Sequence, residues 1–193
     1  MRVIGFDPGW ANTAWAILDV RQGPAPPRAT LFTSGTIETY PDESFDERLH
    51  AVIAGAGDAF HDGRGVPLHI AIENQRVGGR TQPAGMAVVG ALAASAVCSK
   101  HQFTTYTPQE WHARVGVEVP PSVLKGHARR RKWIKGEVAE KIAGQILWSE
   151  RLDNEHERDA AGVALCHILQ LPDETKLSCI ETGSHKCGPG CSG

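Results

Sequence analysis

The chain of 193 residues is 41% hydrophobic and 22% charged, with a formal net charge of −2, the proportions of a globular protein with one well-buried core. Its 21 glycines and 12 prolines fall short of a low-complexity composition, and nothing repeats at a period of about 20–50 residues, so collagen, solenoids and wholesale disorder are excluded. Charge is segregated: Lys125 to Lys135 holds six lysines or arginines and no acid, dividing the net −2 into +6 there and −8 elsewhere, the pattern of a local polyanion contact.

Residues 2–6 read as a strand ending at Asp7, followed by a Pro8-Gly9 turn. The apolar run Val3-Ile4-Gly5-Phe6 is too short for the core of a secretory leader, so a cytoplasmic location is expected. Thr13 to Val20 and Ala29 to Ile37 read as two further strands, joined through Pro24-Ala25-Pro26-Pro27. Ser44-Phe45-Asp46-Glu47 is a capping box, and Phe45, Leu49, Val52, Ile53 and Phe60 recur behind it at near-helical spacing. Leu68 to Ile72 is a short strand ending at Glu73, and the loop Asn74 to Gln82 leads into an Ala-rich helix over residues 83–100. Thr81 to Ser99 carries no charge, but Ala, Gly and Ser dominate it and leucine occurs once; it reads as a buried helix of a soluble protein, with no membrane span.

Phe103 to Tyr106 is the fifth strand, and Thr107-Pro108-Gln109-Glu110 combines an N-cap, a first-turn proline and a capping glutamate, opening a helix that stops near Gly116. Arg129 to Trp148 and His156 to Leu171 are helix-like, the latter ended by Pro172. Five cysteines, three of them crowded at Cys179, Cys187 and Cys191, give no disulfide framework and fit reduced thiols. Residues 1–172 are expected to form the domain and 173–193 a polar, Gly-containing, disordered tail, whose His185, Cys187 and Cys191 are assigned no function. Three strands followed by alternating strands and helices predict an α/β fold: a mixed five-stranded sheet, first three strands antiparallel, later ones parallel, with helices on both faces.

Asp7 and Glu73 each stand directly after a strand, and Asp159 stands in the first turn of the last helix. Singly, Asp7 reads equally as a turn residue before Pro8, and Asp159 as a complement to a helix N-terminus. Glu73 closes an apolar strand, where an unpaired acid is costly. Carboxylates converging at one end of a sheet are tolerable where divalent cations bind, and paired cations on hard oxygen ligands are what phosphodiester hydrolysis needs.

Val3-Ile4-Gly5-Phe6-Asp7-Pro8-Gly9 with Asn12-Thr13 resembles the opening of RuvC-type Holliday junction resolvases, and Ala71-Ile72-Glu73-Asn74-Gln75 resembles their second acidic motif. His156-Glu157-Arg158-Asp159-Ala160-Ala161-Gly162-Val163-Ala164 is similar to their final helix, so the likeness spans about residues 1–171 in the right order. It implies an RNase H-like fold, a catalytic and metal-binding set of Asp7, Glu73, His156 and Asp159, two Mg²⁺ or Mn²⁺ ions per site, and a homodimer through the Ala-rich helix 83–100. The implied substrate is branched DNA, above all four-way junctions, nicked once by each subunit to leave a 5′ phosphate. His156 and Asp159 share a helical face, but so do Glu155 and Asp159, and Glu155 rivals His156 as fourth ligand.

The family's loop after the second acid carries aromatic rings that enter the junction centre, whereas Asn74 to Gln82 offers Arg76 and Arg80 around Gly78-Gly79 and no ring. Broader selectivity among branched DNAs is the expectation, with Trp111 and Trp133 as the rings to examine for a replacement. Lys125, Arg129, Arg130, Arg131, Lys132 and Lys135 are the expected phosphate contacts beside Arg76 and Arg80. Two alternatives stay open: an ATP-binding protein of the actin, Hsp70 and sugar-kinase type, whose phosphate loop Asp7-Pro8-Gly9 also resembles, and a branched-DNA-binding protein without catalysis.

Overall fold

The computed structural model describes residues 1–21, 23, 25–74, 83–120, 123 and 127–172. Arg76, Arg80, Lys125 and the expected tail 173–193 lie outside the described residues. The strands are β1 (Arg2–Asp7), β2 (Asn12–Val20), β3 (Ala29–Glu38), β4 (Leu68–Glu73), β5 (Gln102–Tyr106) and β6 (Ile146–Leu147). The helices are α1 (Phe45–Asp62), α2 (Pro83–Cys98), α3 (Pro108–Val115), α4 (His127–Gln145) and α5 (Glu155–Gln170).

One sheet runs in the order β5-β4-β1-β2-β3-β6. β2 lies antiparallel to both β1 and β3, β4 is parallel to β1, and β5 is parallel to β4. The expected five strands become six. Ile146 and Leu147, expected to continue a helix to Trp148, instead pair in parallel with Ala29 and Thr30 at the open edge of β3. The Arg28 amide donates to the Gln145 carbonyl at 2.7 Å, the Ile146 side chain is buried, and Trp148 turns the chain at φ 63°. Pairing two backbone groups and burying one isoleucine outweighs another half-turn of helix, and two residues are too few to leave a periodic signal.

Strand alternation sends successive side chains to opposite faces. Ile4, Phe6, Ile17, Ile70 and Ile72 pack under α1 and α2, while Val3, Ala14, Ala16, Leu18 and Ala71 pack under α3, α4 and α5. The same alternation sends Asp7 and Glu73 to the α5 face, next to each other where parallel β1 and β4 end. Both capping boxes form, at Ser44 and at Thr107, and Gly116, at φ 89°, closes α3 in the left-handed conformation that glycine adopts without strain.

α5 lies against β1 backbone to backbone. A Cβ at Gly5 would stand 2.7 Å from the Ala164 amide nitrogen and collide with the Ala160 carbonyl, and a Cβ on Gly162 would stand 2.6 Å from the Trp111 ring. These two missing side chains bring the last helix onto the sheet and seat Trp111 between α5 and the end of β4.

α2, read from sequence as a buried helix and a dimer interface, is buried along one face. Gly85, Val88, Val89, Leu92 and Ala96 are buried, but Met86, Gly90, Ala94 and Val97 form an exposed stripe of small and apolar side chains. No helix among the described residues is long and apolar enough to cross a membrane.

Candidate active site

The N-terminus of α5 is held by a polar clip. Asn154 caps it by accepting from the Glu157 amide at 2.9 Å, and buried Glu157 accepts from Ser34 Oγ at 2.7 Å, from Thr36 Oγ1 at 3.4 Å and from the Asp153 amide at 3.2 Å. The clip ties α5 to β3, so the next residues on the helix, His156 and Asp159, face the end of β1.

There the His156 Nδ1–H donates to Asp7 Oδ2 at 2.9 Å. Glu73, 9% exposed, accepts from the Trp111 indole N–H at 2.7 Å. Asp7, Glu73, His156, Asp159 and Glu155 all line one cavity of about 660 Å³, walled on its other side by α3, α4 and the Val117–Val119 segment. The four expected site residues, from three elements separated by up to about 150 residues, therefore share one cleft.

Burial, followed by the negative charge of Asp7, pushes the Glu73 carboxyl up from 4.5 to about 8, against the Trp111 hydrogen bond. Burial, again followed by Asp7, pushes Asp159 up from 3.8 to about 7, opposed by His156 and Lys135. The hydrogen bond to Asp7 leads in raising the His156 imidazole above its ordinary 6.5, with burial acting against it. Two carboxyls driven toward neutrality by burial and by a third carboxylate mark a site short of positive charge.

That shortage is what a divalent cation makes good, and three carboxylates with one imidazole form a donor set suited to Mg²⁺ or Mn²⁺. Among the described residues no three of these side chains already stand around a single ion position. Asp7 is instead engaged by His156, and Glu73 by Trp111. Glu155, the rival to His156, pairs with Lys135 on α4, and that hydrogen bond leads in holding its carboxyl below the ordinary range.

Of the expected phosphate contacts, Arg129, Arg130, Arg131 and Lys132 are exposed on the first turns of α4, and Arg130, Arg131 and Lys135 line the cavity. Lys135 is engaged by Glu155. Trp111 is buried under α5 and Trp133 packs on the same core, so Trp111 is part of the site's frame rather than a free ring. The Trp111 bond to Glu73 and the Glu157 clip were missed from sequence. A Trp directly after a proline-opened capping box hints at a buried helix face, but nothing local names Glu73 as its partner.

No family model matches the chain. It is 34% identical over 122 residues to the crossover junction endodeoxyribonuclease RuvC of Pseudarthrobacter chlorophenolicus, a stretch covering 60% of this chain and 58% of that relative, so less than two thirds of the relative's length is spanned. It is 28% identical over 168 residues to the protein of the same name from the Wolbachia of Brugia malayi, covering 86% of this chain and 93% of the relative. Among solved structures, Thermus thermophilus RuvC superposes with a TM-score of 0.68 at 21% identity, over 88% of this chain and 94% of that one. The same protein in complex with Holliday junction substrate gives 0.65 at 19% identity, over 88% and 93%. In sequence and in the order of its acidic motifs this chain is similar to proteins named crossover junction endodeoxyribonuclease RuvC, and it shares the fold of Thermus thermophilus RuvC.

Proposed function

We propose that the protein is a metal-dependent, structure-selective endonuclease that hydrolyses phosphodiester bonds in four-way and other branched DNA, in recombination and repair within the cytoplasm. The observation that carries this is the meeting of Asp7, Glu73, His156 and Asp159 in one cleft beside an arginine-rich helix start. Residues 1–172 form the nuclease domain in this reading.

Asp7, Glu73, His156 and Asp159, which line one cavity, would together hold the divalent cations. Two Mg²⁺ or Mn²⁺ ions held there would polarise the scissile phosphate, lower the pKa of an attacking water and neutralise the leaving oxygen. Trp111 keeps one Glu73 oxygen occupied and orients the other toward the cleft. His156 fits the fourth position better than Glu155, because it already contacts Asp7 while Glu155 is neutralised by Lys135. Arg129, Arg130, Arg131 and Lys132, with Lys135 at the cavity rim and Arg76, Arg80 and Lys125 beyond the described residues, would hold the flanking phosphates.

The exposed stripe Met86, Gly90, Ala94 and Val97 on α2 supports a homodimer through this helix, since small side chains let two helices approach closely across a two-fold axis. Two active sites so joined would nick opposed strands of one junction.

The test is a labelled four-way junction incubated with the protein in Mg²⁺, in Mn²⁺ and in EDTA. Symmetrical nicks in either metal and none in EDTA are expected. Binding without cleavage in both metals would leave a branched-DNA-binding protein instead.

A further inference from the structure

At the end of the sheet opposite the acidic cleft, β4 and α5 bring two histidines together. His69 lies four residues before Glu73 on β4, about 13 Å along the strand, and His167 lies eight residues after Asp159 on α5, about 12 Å along the helix. Both line a recess of about 410 Å³, together with His101, Gln102 and Thr104. Phosphodiester hydrolysis in the cleft uses none of these side chains.

A chain of hydrogen bonds fixes the orientation of the pair. Tyr106 gives its O–H to the Gln170 side-chain carbonyl at 3.4 Å, so its oxygen accepts from the His167 Nδ1–H at 2.8 Å. His167 Nε2 is then the nitrogen without a proton, and it faces His69 Nδ1 at 3.3 Å. That separation is long for a hydrogen bond, and it matches the roughly 3.3–3.4 Å spanned by two nitrogens that each bind one tetrahedral zinc ion at about 2.0–2.1 Å. Burial pushes the His167 imidazole down to about 4, and burial followed by the N-terminal amine lowers that of His69, so both rings are neutral near pH 7. An ion placed between them competes with no bound proton beyond the one that moves from Nδ1 to Nε2 of His69.

We propose that His69 Nδ1 and His167 Nε2 bind one divalent transition-metal ion of the Zn²⁺ or Co²⁺ class, with Tyr106 as the partner that orients His167. Among the described residues no third His, Cys, Asp or Glu joins the pair, and His101, on the same recess, packs edge-on against Phe60, so water completes the ion's shell. Imidazole nitrogens select such ions over Mg²⁺, which seeks oxygen, and the site therefore differs from the acidic cleft in the metal it takes. The hydrogen bond from His167 to Tyr106 is the outer contact that holds a ligating ring in its tautomer. An ion here clamps β4 to α5, the elements that deliver Glu73 and Asp159, and braces the frame of the cleft from its far end without entering it.

The experiment is equilibrium dialysis of the full chain against Zn²⁺ in excess Mg²⁺, which occupies hard oxygen sites, for the unaltered protein, His69→Gln and His167→Gln. Ligands elsewhere in the chain, Cys187 and Cys191 among them, are common to all three, so the readout is the difference. Each variant should bind one equivalent of Zn²⁺ fewer than the parent, and Tyr106→Phe, which keeps the ring and removes the oxygen, should weaken that equivalent about 10–100-fold. At ten times the half-saturating concentration, Zn²⁺ should raise the unfolding temperature of the parent by about 3–5 °C more than that of His69→Gln. His69 is half-buried, and should His167→Gln fail to fold, His69→Gln decides alone. The same number of equivalents and the same thermal gain in parent and His69→Gln overturn the site and leave the two rings as a hydrogen-bonded pair. Neither readout involves DNA, so the nuclease reading stands or falls separately.

Discussion

Glu73→Gln should raise the stability of the metal-free protein while abolishing its cleavage. Folding lifts the Glu73 carboxyl from 4.5 to about 8, so the folded state binds this proton more tightly than the unfolded state. That contribution is complete below about pH 4.5 and is lost as pH climbs through 8. Between 4.5 and 7 the loss is about 2.5 pKa units, an upper bound on the order of 3 kcal/mol; relaxation of the cleft and entry of water reduce it to roughly 1–3 kcal/mol. Glutamine carries no charge to lose, and its carbonyl still accepts from the Trp111 indole. In EDTA the variant should therefore melt at the same temperature as the parent near pH 4.5, and about 3–10 °C higher at pH 7, with a wider gap at pH 9. Saturating Mg²⁺ should close or reverse the gap, because the ion stabilises the parent carboxylate and has little to gain from the amide. The measurement is thermal unfolding by circular dichroism across that pH range with and without metal. A variant less stable than the parent at pH 8 in EDTA, or a difference that does not vary with pH, would refute the account of a site short of positive charge.

Asp7→Asn and Asp159→Asn should each lower junction cleavage by at least a hundredfold and leave binding intact or tighter, since each removes a negative charge facing phosphate; near-parental rates in Asp7→Asn by gel assay would remove the site. Replacing Arg129, Arg130 and Arg131 together by Ala should weaken binding to all sequences and flatten the plot of log affinity against log salt by about one unit per lost phosphate contact, read by fluorescence anisotropy. An unchanged slope would return these side chains to ordinary solvated positions. Gly90→Glu, which places a charge in open space on the α2 stripe, should convert a dimer to a monomer in light scattering, and a parent already monomeric at micromolar concentration would reject the α2 interface.

Much of the fold is local in origin, and those parts were legible. The Ser44 and Thr107 capping boxes need only residues three apart, the strands need only alternation, and both are found where the sequence places them. Asp7 and Glu73 could be placed at strand ends for the same reason. The unforeseen features all depend on partners distant in sequence. Trp111 meets Glu73 across 38 positions, Glu157 meets Ser34 across 123, and β6 forms because the far edge of β3 is open. The choice between Glu155 and His156 likewise turns on Lys135, 20 residues from Glu155 and on another helix. Helical spacing allows both Glu155 and His156 a face shared with Asp159, and only tertiary packing distinguishes them.

The absence of a side chain at Gly5 makes the gauge of the acidic cleft a backbone dimension. With nothing between β1 and α5 to compress, the separation of Asp7 from Asp159 is set by contact of main-chain atoms at Ala160 and Ala164, and repacking elsewhere in the core cannot easily alter it. Ions differ in the gauge they accept: Mg²⁺ binds oxygen at about 2.0–2.1 Å and tolerates little deviation, while Ca²⁺ takes about 2.3–2.6 Å in looser shells. A single methyl group at position 5, which would stand 2.0 Å from the Ala160 carbonyl oxygen, would act as a shim that forces the two main chains apart without touching a donor atom. In the proposed metal-dependent nuclease, the choice among cations would then be written partly into a residue that ligates nothing.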